Sequence, residues 1–309
     1  MKITISEEKK NLKEKILKLK ENLKAVIIAH NYQLPEIQDI ADYLGDSLEL
    51  AKISQDLEEE IIIFCGVKFM AETTKILSPQ KRVFLSVLDA GCPLADTITP
   101  QQLSFLKAKN PDACVVSYVN TSAEIKALSD VCCTSSTAVK VVKNVPQEKV
   151  IFVPDKNLGE WVKKNVPHKQ IINWEGFCYV HNNFNLIELE QQRCLHPDAI
   201  VMVHPECPPS IQDASDYVLS TSGMLKEAKK SSKKKFIIGT ESGLIYRLKK
   251  ENPGKEFYPL SKGHICIDMK RTTLKELYDS LLKQQYEIIL SREIIEKAQK
   301  AIVQMVQFL

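Results

Sequence analysis

An internal repeat is the sequence feature that most constrains how this chain can fold. Three segments that begin at Ala25, Ala113 and Ala199 align without a gap: AVIIAHNYQLPEIQDIADYLGDS, ACVVSYVNTSAEIKALSDVCCTS and AIVMVHPECPPSIQDASDYVLST. Each combines an apolar strand, a polar tripeptide, a helical segment and a small hydroxyl residue. A second strand, a helix and a third strand follow in each copy. Strands that alternate with helices indicate right-handed βαβ units and parallel sheets.

The repeat also predicts the domain organisation. We expect an α/β protein of three αβα domains with small parallel sheets, related by a pseudo-threefold axis. The predicted domains are 1–91 together with 267–309, 92–177, and 178–266. Such small repeats need their neighbours for stability, which places the active site at the central domain junction. From Asp268 onward we expect mainly helix that returns to pack on the first domain.

Composition narrows the class of partner. The chain has 309 residues, 44% of them hydrophobic, and a formal net charge of +3. This near balance of charge gives no reason to expect a nucleic acid or a membrane surface as partner. The N-terminus lacks an apolar signal-peptide core, and no apolar run approaches a membrane span in length. We therefore expect a cytoplasmic protein that acts on small molecules.

Polar tripeptides stand where the first strand of each copy ends. They are His30–Asn31–Tyr32, Tyr118–Val119–Asn120 and His204–Pro205–Glu206. Ligands of open α/β sheets bind at the carboxyl ends of the strands. A single strand-end histidine is usually structural, but polar residues at one register in all three copies favour one asymmetric pocket. Because side chains alternate along a strand, residues two apart in each tripeptide should face that pocket together.

Small hydroxyl residues share a second register. Ser47, Ser135 and Thr221 each stand near a turn that follows a helical segment. Helix capping is one explanation. Donation to carboxylate or phosphate oxygens is the other, and both roles are compatible at a helix N-terminus.

Three of the nine cysteines also share a register. Cys92, Cys178 and Cys266 are 86 and 88 residues apart. Thiolates related by one threefold axis can converge on zinc or on an iron–sulfur cluster. No fourth ligand or local CxxC spacing is evident, which suits a 4Fe–4S cluster with one iron open to act as a Lewis acid. The other six cysteines are not expected to reach this site. Cys65, Cys114 and Cys194 are interpreted as core residues.

The motifs in order resemble the quinolinate synthase family of NAD biosynthesis over nearly the whole chain. They are AHNYQ, GDSLELA, FMAETTKILSP, AGCPLAD, YVNTSAEIKA, CTSSTA, GFCYVH, HPEC, STSGM and CIDMKRTTL. The resemblance implies three αβα domains with the active site at their junction. It also implies one 4Fe–4S cluster per chain, held by Cys92, Cys178 and Cys266.

The resemblance further implies a transferase reaction and the residues for it. Iminoaspartate (iminosuccinate) would condense with dihydroxyacetone phosphate to quinolinate, with release of phosphate and water. An L-aspartate oxidase or aspartate dehydrogenase would supply the imine. The implied catalytic residues are His30, Tyr32, His181 and Glu206. The implied substrate-binding residues are His30, Ser47, Tyr118, Val119, Asn120, Ser135, His204, Pro205, Glu206 and Thr221.

The sequence departs from the family at two places, and other functions stay open. Asp268 stands where many members have Asn, and Cys266 lacks the CxxC pattern that some members carry around this ligand. The first alternative function is a non-catalytic iron–sulfur or zinc-binding sensor or scaffold. The second is a sugar-phosphate aldolase or isomerase without a cluster.

Overall fold

Three four-stranded parallel sheets form the framework of the protein in a computed structural model that describes residues 5–308. The first sheet has the order β2-β1-β3-β4. Its strands are β1 Ala25–His30, β2 Tyr43–Gly45, β3 Ile61–Cys65 and β4 Arg82–Leu85. The accompanying helices are α1 Ile5–Leu23, α2 Pro35–Ile40, α3 Ser47–Asp56 and α4 Lys68–Leu77.

The second and third sheets repeat this order of strands, as β6-β5-β7-β8 and β10-β9-β11-β12. The second repeat contains α5 Pro100–Lys109, β5 Cys114–Tyr118, α6 Ala123–Leu128, β6 Val131–Cys133, α7 Ala138–Asn144, β7 Lys149–Val153, α8 Lys156–Asn165 and β8 Gln170–Asn173. The third contains α9 Tyr179–Asn182, α10 Leu186–Leu195, β9 Ile200–Val203, α11 Pro209–Asp213, β10 Tyr217–Val218, α12 Thr221–Lys230, β11 Lys235–Gly239, α13 Leu244–Glu251 and β12 Glu256–Pro259. The predicted α/β class with parallel sheets is confirmed.

An aspartate at one repeat register ties each edge strand to the centre of its sheet. Asp42 precedes β2 and accepts a hydrogen bond from the backbone N–H of Ile27 at 2.8 Å. Asp130 and Asp216 accept in the same way from Val115 and Val201, each at 2.7 Å. The sequence analysis did not foresee β2, β6 and β10, which are only two or three residues long.

A lysine just before the last strand of each sheet binds the turn that precedes the neighbouring strand, β3, β7 or β11. Lys81 donates to the carbonyls of Leu57 and Glu59. Lys169 donates to Val145 and Gln147, and Lys255 donates to Ala228 and Ser231. Because backbone carbonyls that turn inward need a donor, these ammonium groups stabilise the same turn three times.

The C-terminal region is mainly helical, as predicted from Asp268 onward. It forms α14 Ile267–Lys270, α15 Leu274–Lys283 and α16 Arg292–Gln307. In α15, Leu274, Leu277 and Leu281 are buried in the core of the first sheet with Ile27 and Ile63. The end of α16 contacts α7 instead, where the amide of Asn144 donates to the carbonyl of Phe308 at 2.8 Å.

The chain divides into two compact units. One comprises Met1–Cys92 with Cys266–Ile295, and the other Pro93–Ile265 with Glu296–Leu309. The first sheet therefore lies in one unit, and the second and third sheets lie in the other. The three domain boundaries expected from the repeat stay a prediction. Among residues 5–308, no helix is long and apolar enough to cross a membrane.

Candidate active site

The loop before each of the three repeat cysteines is held by one equivalent hydrogen bond. Lys68 N–H donates to the carbonyl of Ala90 at 2.9 Å, and Lys156 N–H donates to that of Gly176 at 2.7 Å. In the third copy, Ser242 N–H donates to the carbonyl of His264 at 3.3 Å. The acceptor always lies two residues before the cysteine. The three cysteines thus occupy the same place relative to their own sheets. Cys92, Cys178 and Cys266 lie just beyond the carboxyl ends of β3, β7 and β11.

Gly176 is required at its position in the second copy. A Cβ atom there would lie 2.3 Å from Thr97 Oγ1 and 2.4 Å from the carbonyl oxygen of Pro154. Two residues later, Cys178 N–H donates to Asp155 Oδ2 at 3.2 Å. The glycine therefore allows the loop to approach the end of β7 and place Cys178 over Asp155.

The burial of the cysteines separates the three repeat cysteines from the rest. None of the nine, all of which lie in the described residues, forms a disulfide. Cys92, Cys178 and Cys266 are half-buried. The other six are either buried or exposed: Cys65, Cys114, Cys132, Cys133 and Cys207 are buried, and Cys194 is exposed. Three partly accessible thiols at one repeat register fit the donor set of an iron–sulfur cluster.

The interpretation of Cys194 as a core residue is wrong. It lies on the outer side of α10, whereas Leu189 of that helix is fully buried. Cys65 and Cys114 are buried as expected, and burial raises the pKa of each thiol to about 12. Such thiols stay protonated near neutral pH and are poor metal ligands.

The strand-end residues His30 and Tyr32 lie together, as the alternation of side chains predicts. Their ring centroids are 4.6 Å apart in an edge-to-face arrangement. The backbone N–H of Tyr32 donates to His30 Nδ1 at 3.2 Å. In the third copy, Glu206 N–H donates to His204 Nδ1 at 3.4 Å.

The carboxylate of Glu206 is the centre of a buried polar network. Tyr118 Oη donates to Glu206 Oε1 at 2.7 Å, and Asn120 Nδ2 donates to the same oxygen at 3.3 Å. His181 Nδ1 lies 2.8 Å from the other oxygen, Oε2, and His204 Nδ1 lies 3.9 Å from it. The structure therefore brings together predicted site residues from the second and third repeats.

The protonation states of Glu206 and Asp155 diverge although both are fully buried. Burial alone would raise the pKa of Glu206. The charges of His181 and His204, with hydrogen bonds from His181 and Tyr118, outweigh burial and lower this pKa to about 2. Burial, together with the nearby Glu206 charge, raises the pKa of Asp155 well above its usual range. Glu206 is therefore the anion of the pair.

His181 connects this network to Cys178. Its Nδ1 lies 3.2 Å from Cys178 Sγ, and its Nε2 lies 2.8 Å from Thr240 Oγ1. Because Glu206 is ionised, Nδ1–H donates to the carboxylate, and Nε2 shares a hydrogen bond with the Thr240 hydroxyl. The ring orientation is thus fixed at both nitrogens.

The candidate hydroxyl residues are not the helix caps. Ser47 and Thr221 are the first residues of α3 and α12, but the capping side chains belong to Asp46 and Ser220. Ser135 lies in the turn before α7. The remaining two candidates, Val119 and Pro205, are buried within their tripeptides. Capping at α3 and α12 is therefore supplied by the neighbouring side chains, and substrate binding by Ser47 and Thr221 stays a prediction.

Three residues of the network were missed by the sequence analysis. Thr240 and Asp155 follow β11 and β7, and Asn157 Nδ2 donates to the carbonyl of Glu206 at 2.9 Å. The sequence held a signal that could have found Asp155 and Thr240. Ligand sites lie beyond the carboxyl ends of parallel strands, and this rule applies to β7 and β11 as well as to β5 and β9.

Comparison with known proteins identifies the family. A family model described as "Quinolinate synthetase A protein" matches residues 14–307. The chain belongs to this family. Quinolinate synthase from Caldicellulosiruptor bescii is 51% identical over 296 residues, covering 96% of this chain and 98% of the relative. The quinolinate synthase of Thermodesulfovibrio yellowstonii is 52% identical over 292 residues, covering 94% and 96%. The family resemblance inferred from the motifs is confirmed.

Proposed function

We propose that this chain is a quinolinate synthase that condenses iminoaspartate with dihydroxyacetone phosphate to quinolinate, phosphate and water. One observation carries the proposal beyond family membership. A fully buried, ionised Glu206 is bonded by Tyr118, Asn120 and His181, and His181 contacts the thiol of Cys178. Such a carboxylate beside a candidate cluster ligand suits acid–base chemistry on a metal-bound substrate.

The proposed cofactor is one 4Fe–4S cluster held by Cys92, Cys178 and Cys266. Their equivalent loop positions and intermediate burial support this assignment. The cluster, when bound, supplies a Lewis-acid iron that polarises a substrate oxygen or nitrogen. An imine-forming enzyme that oxidises or dehydrogenates aspartate would supply the first substrate.

The proposed binding residues form two groups, one for the carboxylates of iminoaspartate and one for the phosphate of the second substrate. Tyr118, Asn120, Ser135 and Thr221 offer hydroxyl and amide donors to the carboxylates of iminoaspartate. His30 and Ser47 offer donors to the phosphate of the second substrate. Val119, His204 and Pro205 shape the same strand ends. Those donors that are buried orient a ligand because few solvent molecules compete with them.

Proton transfer is assigned to residues that hold a proton at a defined atom. Glu206, ionised and bonded to Tyr118 Oη, can accept a proton from the substrate carbon that forms the new bond. Tyr32 and His30 can donate protons to departing oxygen atoms. His181 holds the Glu206 carboxylate in place through Nδ1–H and is itself held by Thr240.

An anaerobic assay tests the function directly. Protein purified without oxygen should be brown and should form quinolinate from the two substrates. Cys92→Ser, Cys178→Ser and Cys266→Ser should each lose iron and activity, whereas Cys194→Ser, on the exposed face of α10, should retain both. Metal-free protein that takes up no iron–sulfur cluster when iron and sulfide are supplied without oxygen, or full turnover in a cysteine variant without iron, would refute the proposal and support the scaffold or aldolase alternatives.

A further inference from the structure

Three potential metal ligands of different chemical types meet next to α9. The Sγ of Cys178 lies 3.2 Å from Nδ1 of His181, and this ring nitrogen lies 2.8 Å from Oε2 of Glu206. One ligand atom of each residue lies within 4.8 Å of the others. We propose that Cys178, His181 and Glu206 bind one zinc ion in protein that carries no iron–sulfur cluster.

The spacing of the three atoms suits a small tetrahedral ion. Zinc bonds of roughly 2.0–2.3 Å to nitrogen, oxygen and sulfur place neighbouring ligand atoms roughly 3.3–3.8 Å apart by tetrahedral geometry. The Sγ–Nδ1 and Nδ1–Oε2 separations are slightly shorter, and the third pair lies within 4.8 Å, so small movements of the side chains admit the ion. Cys178 precedes α9, His181 lies within this helix, and Glu206 stands on the loop after β9, so rotations of the side chains can supply this movement.

The ligand types select zinc over the common hard cations. Calcium and magnesium require oxygen ligands, whereas a thiolate, an imidazole and a carboxylate together suit zinc or another late divalent metal. Three protein ligands leave the fourth position to water. The ion would therefore have a vacant or exchangeable coordination position in the buried network.

Partners that hold the ligands in place are already present. Thr240 Oγ1 lies 2.8 Å from the remaining ring nitrogen of His181, Nε2. The second oxygen of Glu206, Oε1, accepts hydrogen bonds from Tyr118 and Asn120. Metal-binding sites in proteins use such outer contacts to fix the ring tautomer and the carboxylate orientation, and their loss costs about 10- to 100-fold in affinity.

Metal entry requires the ligand atoms to give up their protons. The half-buried Cys178 thiol releases its proton to solvent as the thiolate binds. His181 binds through Nδ1, which must carry no proton in the complex, and Nε2–H then donates to Thr240 Oγ1. Charge and protons balance without any oxidant or reductant.

The zinc site shares Cys178 with the cluster, and this consequence rests on the proposed function. Zinc and cluster would exclude each other on one chain. Zinc-loaded protein would be colourless and inactive, and would acquire a cluster only after the ion leaves. The ion would also shield the Cys178 thiolate from oxidation while the chain waits for its cluster.

Cobalt is the probe that reports ligand identity. Full-length cluster-free protein, prepared anaerobically by chelation, is titrated with Co²⁺ alone and then with Zn²⁺ as competitor. We expect one Co²⁺ per chain with a thiolate-to-cobalt absorption band and tetrahedral visible bands, all abolished by Zn²⁺. Cys178→Ser should remove the thiolate band, and Glu206→Gln and Thr240→Val should each weaken binding by about 10-fold or more.

The other cluster ligands provide matched controls. Cys92→Ser and Cys266→Ser should lose the iron–sulfur cluster but keep the cobalt spectrum and affinity, with circular dichroism confirming the fold. Loss of the cobalt bands in these variants would place the ion among the three cysteines and overturn the proposal. Absence of Co²⁺ binding in folded wild-type protein would overturn it as well. Neither result bears on turnover by the cluster-loaded enzyme, which the quinolinate assay measures separately.

Discussion

Tyr32 is the residue whose role can be tested by removing a single atom. Its ring packs edge-to-face on His30, and Phe would keep that contact while lacking the hydroxyl. We expect Tyr32→Phe to fold and load iron normally but to lose turnover by about 100-fold, because a positioned acid or base contributes at least about that factor. The measurement is quinolinate formation at matched iron content. Turnover within a few-fold of wild type would remove Tyr32 from the mechanism.

Glu206 should give the cluster-free protein a distinct acid sensitivity. Its pKa is lowered in the folded state to about 2, compared with roughly 4.3 in an unfolded chain. The resulting stabilisation is complete above the unfolded value and is lost as the pH falls through the folded value. We expect a contribution of about 3 kcal/mol to the free energy of unfolding at neutral pH.

Denaturant unfolding at several pH values from about 5 down to about 2 measures this contribution to the free energy of unfolding. Wild type should lose more stability across that range than Glu206→Gln, which has no titrating group at this position. The exposed Glu256→Gln is the control and should behave like wild type. Parallel curves for wild type and Glu206→Gln would show that the carboxylate is not selectively stabilised in the folded state.

At the scale of elements, the short edge strands are the part of the fold that the sequence patterns did not predict. The nine longer strands of the described residues are mostly apolar, and their alternation with helices predicted both the sheets and their parallel direction. The tripeptides at the ends of β1, β5 and β9 followed from the repeat register. By contrast, β2, β6 and β10 span at most three residues and carry no periodic signal. Only the repeated aspartate before them marked their position.

That aspartate is expected to stabilise the third sheet measurably. Asp216→Ala removes the acceptor of the buried Val201 N–H, and an unsatisfied buried donor costs about 1–3 kcal/mol. Asp213→Ala, three residues away, removes only an exposed ion pair with Lys164, which is worth about 0–1 kcal/mol. Chemical denaturation of the two variants compares them. Equal stabilities would contradict a structural role for the repeated aspartate.

Residues at equivalent positions can also differ in ways that only the fold explains. Gln38 and Gln212 donate to carbonyls of the loops after β1 and β9, and the same position in the second copy is Lys126. Lys126 is fully buried and donates to the carbonyl of Thr121. From sequence alone, a lysine in a helix is predicted to be exposed to solvent. The sequence does not show that a loop carbonyl lies within reach of its ammonium group.

At the scale of the whole molecule, the last helix is expected to contribute stability. Met305 and Ile302 of α16 are buried, and Met305 Sδ lies 3.4 Å from Thr137 Oγ1. Deletion of 291–309 should lower the melting temperature clearly. Ile302→Ala tests the same packing with one side chain and should cost about 2–5 kcal/mol, whereas the exposed Val303→Ala should stay within about 0.5 kcal/mol of wild type. An unchanged melting temperature after the deletion would refute this.

The core of the first sheet is built from two distant parts of the chain, so it is completed late in the synthesis of the protein. Leu274, Leu277 and Leu281 fill the same core as Ile27 and Ile63, so a nascent chain that has completed the first sheet still lacks one of its covering helices. Ribosomes add about 5–20 residues per second, so this apolar face stays incomplete for roughly ten seconds or more. We expect the emerging chain to expose this apolar face to solvent during that interval, when it is most prone to aggregate.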